Sequence, residues 1–124
     1  MRNKEKLYEA FGEMIYVLAK ADGLIQDEEI AKLSEIVKQH PWGAEIQWSF
    51  DYEKNKNHPT ADIYKKALDT FHQYGACPEY QYLLEILDAI ATASNGIDAE
   101  EKAVVEKFQQ DFKQRLIADL EKIQ

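Results

Sequence analysis

The stretch LYEAFGEMIYVLAKADGLIQDEEIAKLSEIV, residues 7–37, decides the fold. Leu7, Phe11, Met14, Ile15 and Leu18 recur at the three- and four-residue intervals that gather them on one face of an α-helix. The spacing predicts an amphipathic helix from about Asn3 to Ala21, stopped at Asp22-Gly23. A second stripe follows in Ile30, Leu33, Ile36 and Val37. Pro41 ends it, because a proline ring disfavours helical geometry in the residue before it, here His40. The opening unit is therefore two helices joined by a short acidic turn.

The same periodicity extends outward over most of the chain. Thr60 follows Pro59 as an N-cap candidate, and Ile63, Ala67, Leu68 and Phe71 carry a stripe to Gly75, a natural helix end. Pro78 and Glu79 suit the start of a further helix, with Leu83, Leu84, Leu87, Ile90 and Ala91 on its inner face and Asn95-Gly96 closing it. A last helix is expected from Asp98, striped by Val105, Phe108, Phe112, Leu116, Leu120 and Ile123. Residues 41–59 resist this reading. There Ile46, Trp48, Phe50 and Tyr52 alternate with polar residues as a strand would, yet a lone strand has no ladder partner. The expectation is a short irregular helix or an extended arm across the helices, then a polar loop from Glu53 to Pro59. The fold class that follows is all-α: a single compact domain of about six helices over residues 1–124.

Composition supports one domain and narrows its partners. At 124 residues, 45% hydrophobic and 31% charged, the chain can bury a proper core without staples. Its 15 Lys and Arg against 23 Asp and Glu give a net charge of −8. Nucleic acid and anionic membranes are bound through clustered basic side chains, so neither is an expected partner. No apolar run approaches the ~20 residues of a membrane span. Arg2, Lys4 and Lys6 before Ala19-Lys20-Ala21 mimic a secretory signal, but Glu9 and Glu13 interrupt the apolar region. A cytoplasmic protein is expected, with another protein as its partner.

The opening unit has an echo. Asp22-Gly23-Leu24-Ile25, leading to Glu29, recurs one residue shorter as Asn95-Gly96-Ile97, leading to Glu101. Aligned at the glycines, the preceding helices match at Phe11/Leu84, Met14/Leu87, Val17/Ile90 and Leu18/Ala91. A duplicated helix-loop-helix with pseudo-two-fold symmetry, residues 3–40 against 78–123, is the economical explanation.

These two motifs resemble the TerB-like family, which comprises the tellurite-resistance TerB proteins and the related N-terminal domain of the DjlA co-chaperones. The resemblance implies a compact all-helical bacterial domain, a role in stress responses including tellurite resistance, and no enzymatic activity. It also implies that acidic residues of the motif could bind a divalent cation. Asn95 departs from the pattern, which has an aspartate there, and the aromatic segment from Trp42 to Tyr52 has no counterpart in it.

The residues themselves offer three candidate sites. Asp22, Asp27, Glu28 and Glu29 could supply oxygens to calcium or magnesium. A standard EF-hand is excluded, because Leu18 and Lys20 occupy its first and third ligand positions. The same acids equally suit a helix N-terminus with no metal at all. Asp98 and Glu101 form the second, fainter cation candidate, already accounted for as a capping box. Third, Trp42, Trp48, Phe50 and Tyr52 either fold back over the core or anchor a partner surface. Cys77, the only cysteine, precedes Pro78 at a helix start, where a thiol could be activated or simply buried. His40, His58 and His72 share no metal-ligand spacing, and no nucleophile elbow or phosphate loop is present. The expected function is a non-enzymatic interaction module, and the alternative is a divalent-cation binder or sensor.

Overall fold

The longest uninterrupted apolar run in the chain becomes its central element. In the computed structural model, which describes residues 3–20, 25, 27–92 and 99–122, helix α1 spans Lys4–Ala19. Asn3 caps it, its side chain accepting the Lys6 N–H at 3.2 Å. Every residue from Ala10 to Ala19 is buried, so α1 is enclosed on all sides rather than along the one stripe expected of it. Helix α3 (Gly43–Lys56) and helix α4 (Thr60–Tyr74) flank it most closely. Helix α5 (Glu79–Ala91) also touches α1, helix α2 (Asp27–Val37) lies against α3 and α5, and helix α6 (Ala99–Glu121) packs on α5. These are six helices, and no strand occurs among the described residues.

Close packing around α1 depends on one small residue. At Gly12 a Cβ would stand 2.5 Å from the Ile46 carbonyl oxygen, 2.8 Å from Ser49 Cβ and 2.9 Å from the Phe50 nitrogen. Glycine therefore lets α1 and α3 approach nearly backbone to backbone, and Ser49 Oγ seals the crossing by donating to the Glu9 carbonyl at 2.6 Å. On the other side, Phe11 meets Phe71 edge-to-face at 6.0 Å, and Phe71 meets Tyr80 at 5.3 Å. Tyr80 then donates its hydroxyl toward the carbonyls of Phe71 and Gly75, satisfying the end of α4.

Residues 43–56 form a regular α-helix: of the two expected alternatives the helix is found and the arm is not, and the loop expected from Glu53 begins only after Lys56. The apparent alternation is two helical pairs seen from opposite sides. Ile46 and Phe50, one turn apart, point inward with Ser49 and Glu53, while Trp48 and Tyr52, also one turn apart, point outward. The helix runs through Glu53 to Lys56 and ends at Asn57, whose left-handed φ of 55° lets its N–H bond the Glu53 carbonyl. Two smaller corrections follow. Thr60 is the first helical residue of α4 rather than its cap, which is Pro59. Phe108 is exposed, because the inward face of α6 passes through Gln109, Leu116 and Leu120 instead.

The glycine turns of the echo, Asp22-Gly23 and Asn95-Gly96, lie outside the described residues. Among the described helices, none is long and apolar enough to cross a membrane.

Candidate functional site

Three helices converge on one polar groove. Helix α1 brings Glu9 and Glu13, one turn apart; α3 brings Trp48, Tyr52 and Glu53; α4 brings Lys66. The groove encloses about 370 Å³. Its floor carries two carboxylates that ordinary protein surfaces keep in water: Glu13 is 5% exposed and Glu53 1%.

Each acid has one cationic or potentially cationic neighbour. Lys66 Nζ stands 2.9 Å from Glu13 Oε2, close enough for an ion pair though poorly aligned as a hydrogen bond. His58 Nδ1 lies 2.7 Å from Glu53 Oε1. The histidine is held from behind, since buried Tyr16 donates its hydroxyl to the His58 carbonyl at 2.6 Å. Glu53 Oε2 has neither solvent access nor a hydrogen-bond partner. Burial pushes the Glu13 carboxyl above its usual range despite the lysine, and the charges of Glu53 and Glu9 add to the rise. Glu9 is raised too, by burial first and then by Glu5. Lys66 is raised as well, chiefly because Glu13 stabilises its ammonium.

Above this floor stands an aromatic lip. Trp48 is 59% exposed, and its ring stacks on that of Tyr52 at 5.5 Å with 21° between planes. Lys56 already places its ammonium 5.8 Å from the Tyr52 ring centre, so the lip has a face that accommodates a cation. The groove is thus acidic at depth and aromatic at the mouth. Ser49, also on the groove lining, donates its hydroxyl to the Glu9 carbonyl at 2.6 Å.

The residues singled out from the sequence divide. Of the four aromatics, Trp48 and Tyr52 are offered to solvent. Phe50 is buried in the core, and Trp42 is half-buried, stacked on Tyr8 at 5.5 Å and 10°. Trp42 belongs to a second aromatic cluster with His40, whose Nδ1 accepts the Trp42 backbone N–H at 3.0 Å and whose ring stacks on Tyr82 at 4.3 Å. Of the acids, Asp27 and Glu28 are exposed at the start of α2, whereas Glu29 is buried and accepts from Gln109 of α6 at 3.4 Å. Asp22, Asp98 and the Glu101 side chain lie outside the described residues. Among the described residues no group of three or more His, Cys, Asp or Glu is placed to hold a metal ion. Cys77 is half-buried, and burial with the neighbouring Glu79 pushes its thiol up to about 11, against activation by the helix start.

Glu13, Glu53, His58 and Lys66 were not singled out by sequence reasoning. Glu13 had a detectable sign: it is the charge in the middle of an apolar run, so an enclosed α1 must bury it. Glu53 follows Phe50 at a three-residue step on the inward face, a sign that appears only once α3 is read as a helix. No protein-family model, curated protein or solved structure matches the chain.

Proposed function

We propose that this chain is a non-catalytic protein-interaction module whose docking face is the groove between α1, α3 and α4. The observation that carries the reading is the Trp48–Tyr52 stack, exposed at the mouth of a groove floored by buried carboxylates. Aromatic side chains in water lose most by staying there, and aromatic anchors supply a large share of interface energy. A core-covering tryptophan would have been folded inward like Phe50. The resemblance to TerB-like proteins supports the same non-enzymatic reading and, with it, a role in a bacterial stress response within the cytoplasm, tellurite resistance included.

The test compares the intact chain, a Trp48→Ala/Tyr52→Ala variant and a Lys107→Ala control as baits in extract from the cells that make it. Lys107 is exposed on α6, far along the chain from the groove. The expected result is a partner retained by the intact chain and the control and lost from the double variant, then confirmed by direct titration with the purified partner. Equal retention by all three baits, with the double variant still folded, refutes the assignment of this face.

A further inference from the structure

The floor of the groove is short of a hydrogen-bond donor. Glu53 is almost wholly buried, its Oε1 is taken by His58, and its Oε2 has no partner. An unpaired buried carboxylate oxygen is costly, and folded proteins rarely leave one without a donor. Two lysines, Lys6 and Lys66, also line the groove; Lys66 is engaged with Glu13, and Glu53 Oε2 is left without a bond. Lys66 is itself 61% exposed, so its long side chain is free to swing away from Glu13 toward water.

Resting on the docking reading above, we infer that the groove is a receptor for a guanidinium group: the arginine side chain of a basic segment on the partner protein. A guanidinium is a planar fork of donors that pairs with carboxylates in two directions and stacks flat on an aromatic ring. The groove offers both halves of that recognition: the Trp48–Tyr52 stack above, and below it Glu13 and Glu53, closed to water while Lys66 stands against Glu13 and reached by the guanidinium as Lys66 swings aside. A lysine ammonium would meet the carboxylates as a point charge and a ring by cation–π attraction, but it offers neither the paired donors nor the flat stacking surface of a guanidinium. A calcium ion would require six to eight oxygens, and no cluster of three acidic, histidine or cysteine ligands is available among the described residues. The volume of about 370 Å³ lies near the small end of the ~300–1,000 Å³ typical of ligand sites, a fit for one extended side chain. At longer range, the net charge of −8 attracts a basic segment and repels an acidic one.

The experiment titrates the whole ¹⁵N-labelled chain with a blocked Gly-Gly-Arg-Gly-Gly peptide and with the same peptide carrying neutral citrulline. The Trp48 indole N–H resonance is the probe, and that of Trp42 is the internal control. The arginine peptide should shift Trp48 saturably, in about the millimolar range for a single side chain, while citrulline does nothing. Glu53→Gln should weaken binding at least about tenfold, by removing a charged acceptor. Lys66→Gln should tighten it severalfold, because the competing internal cation is gone. Lys66 is exposed, so that variant keeps the test decisive even if Glu53→Gln fails to fold. The inference is overturned by an unmoved Trp48, by equal shifts with citrulline, or by a Lys66→Gln affinity no better than the parent's. Saturation by free agmatine at micromolar concentration also overturns it, in favour of a small-molecule site. If the peptide fails while the Trp48→Ala/Tyr52→Ala bait still loses its partner, the guanidinium inference falls alone. If the peptide binds but the captured partner ignores the double variant, the docking reading falls and takes the partner source with it.

Discussion

Replacing Gly12 by alanine should destabilise the protein by about 2 kcal/mol, although alanine is the better helix former. The added Cβ would stand 2.5 Å from the Ile46 carbonyl oxygen and 2.9 Å from the Phe50 nitrogen. Both are backbone atoms of α3, so no side-chain rotation relieves the clash. The helix as a whole has to retreat from α1, on the order of 0.5–1 Å. A gap of that size forfeits a quarter to a half of the dispersion energy of each contact it opens. Overpacking of this kind typically costs about 1–3 kcal/mol, and rigid backbone neighbours place Gly12 at the upper end. The gain in helix propensity, about 0.8–1 kcal/mol, offsets only part of it. Urea unfolding of both proteins checks the figure. A midpoint lower by about 1 M at unchanged slope is expected for a slope near 2 kcal/mol/M. A Gly12→Ala protein as stable as its parent, or more so, would mean that α1 and α3 do not cross this closely.

Further outcomes follow from the same contacts. Phe50→Ala should cost about 3–5 kcal/mol, whereas Trp48→Ala should cost less than half as much, as thermal unfolding of the two variants will show. In a Trp42→Phe background, Trp48 fluorescence should be red-shifted and readily quenched. Glu13 and His40 should tilt the stability–pH curve in opposite directions. The raised Glu13 carboxyl means that the folded state holds the proton more tightly than the unfolded state. Its contribution is present below the unfolded value of 4.5 and fades as pH rises through the higher folded value, so Glu13→Gln should flatten that fall. Burial lowers His40 below 6.5, so its contribution is present above that pH and is lost as pH falls through the folded value. His40→Phe should remove that acid limb. Cys77, its thiol pushed up to about 11, should react with a disulfide reagent at neutral pH at least about a hundredfold more slowly than a free cysteine, until the chain is unfolded.

Most of the helices were legible because apolar spacing survives whatever the tertiary contacts turn out to be. Leu7 through Leu18, Leu33 with Val37, Ile63 through Phe71 and Leu83 through Ile90 all announced their elements, and Gly75 announced an end with its φ of 87°. At residues 46–52 the pattern alone does not separate helix from strand, because a helix with one large apolar pair on each of two faces, Ile46/Phe50 and Trp48/Tyr52, produces the same alternation. Phe108 was misplaced for a different reason. Three- and four-residue steps can be traced through either of two adjacent residues, and at this turn Gln109 rather than Phe108 occupies the inward face. The groove was the least legible part. Glu13, Glu53 and Lys66 come from three helices, separated along the chain by residues that say nothing of one another. The crossing at Gly12, which sets α3 directly on α1, brings Glu13 and Glu53 to one place, and the packing of α4 against α1 adds Lys66.

The enclosure of α1 also shapes how the chain is made. Its apolar residues are synthesised before the helices that cover them, α3 and α4, which end at Lys56 and Tyr74. At a ribosomal pace of ~5–20 residues per second, the interval from Ala19 to Tyr74 lasts roughly 3–11 s. Until α3 is complete, and then until α4 joins it, a helix built to be surrounded lacks part of its cover. Nascent α1 is therefore a natural client for a chaperone that binds short apolar segments. Substitutions that slow the docking of α3, Gly12→Ala first among them, should lower the yield of native protein in cells by more than the equilibrium loss predicts, because they lengthen this exposed period.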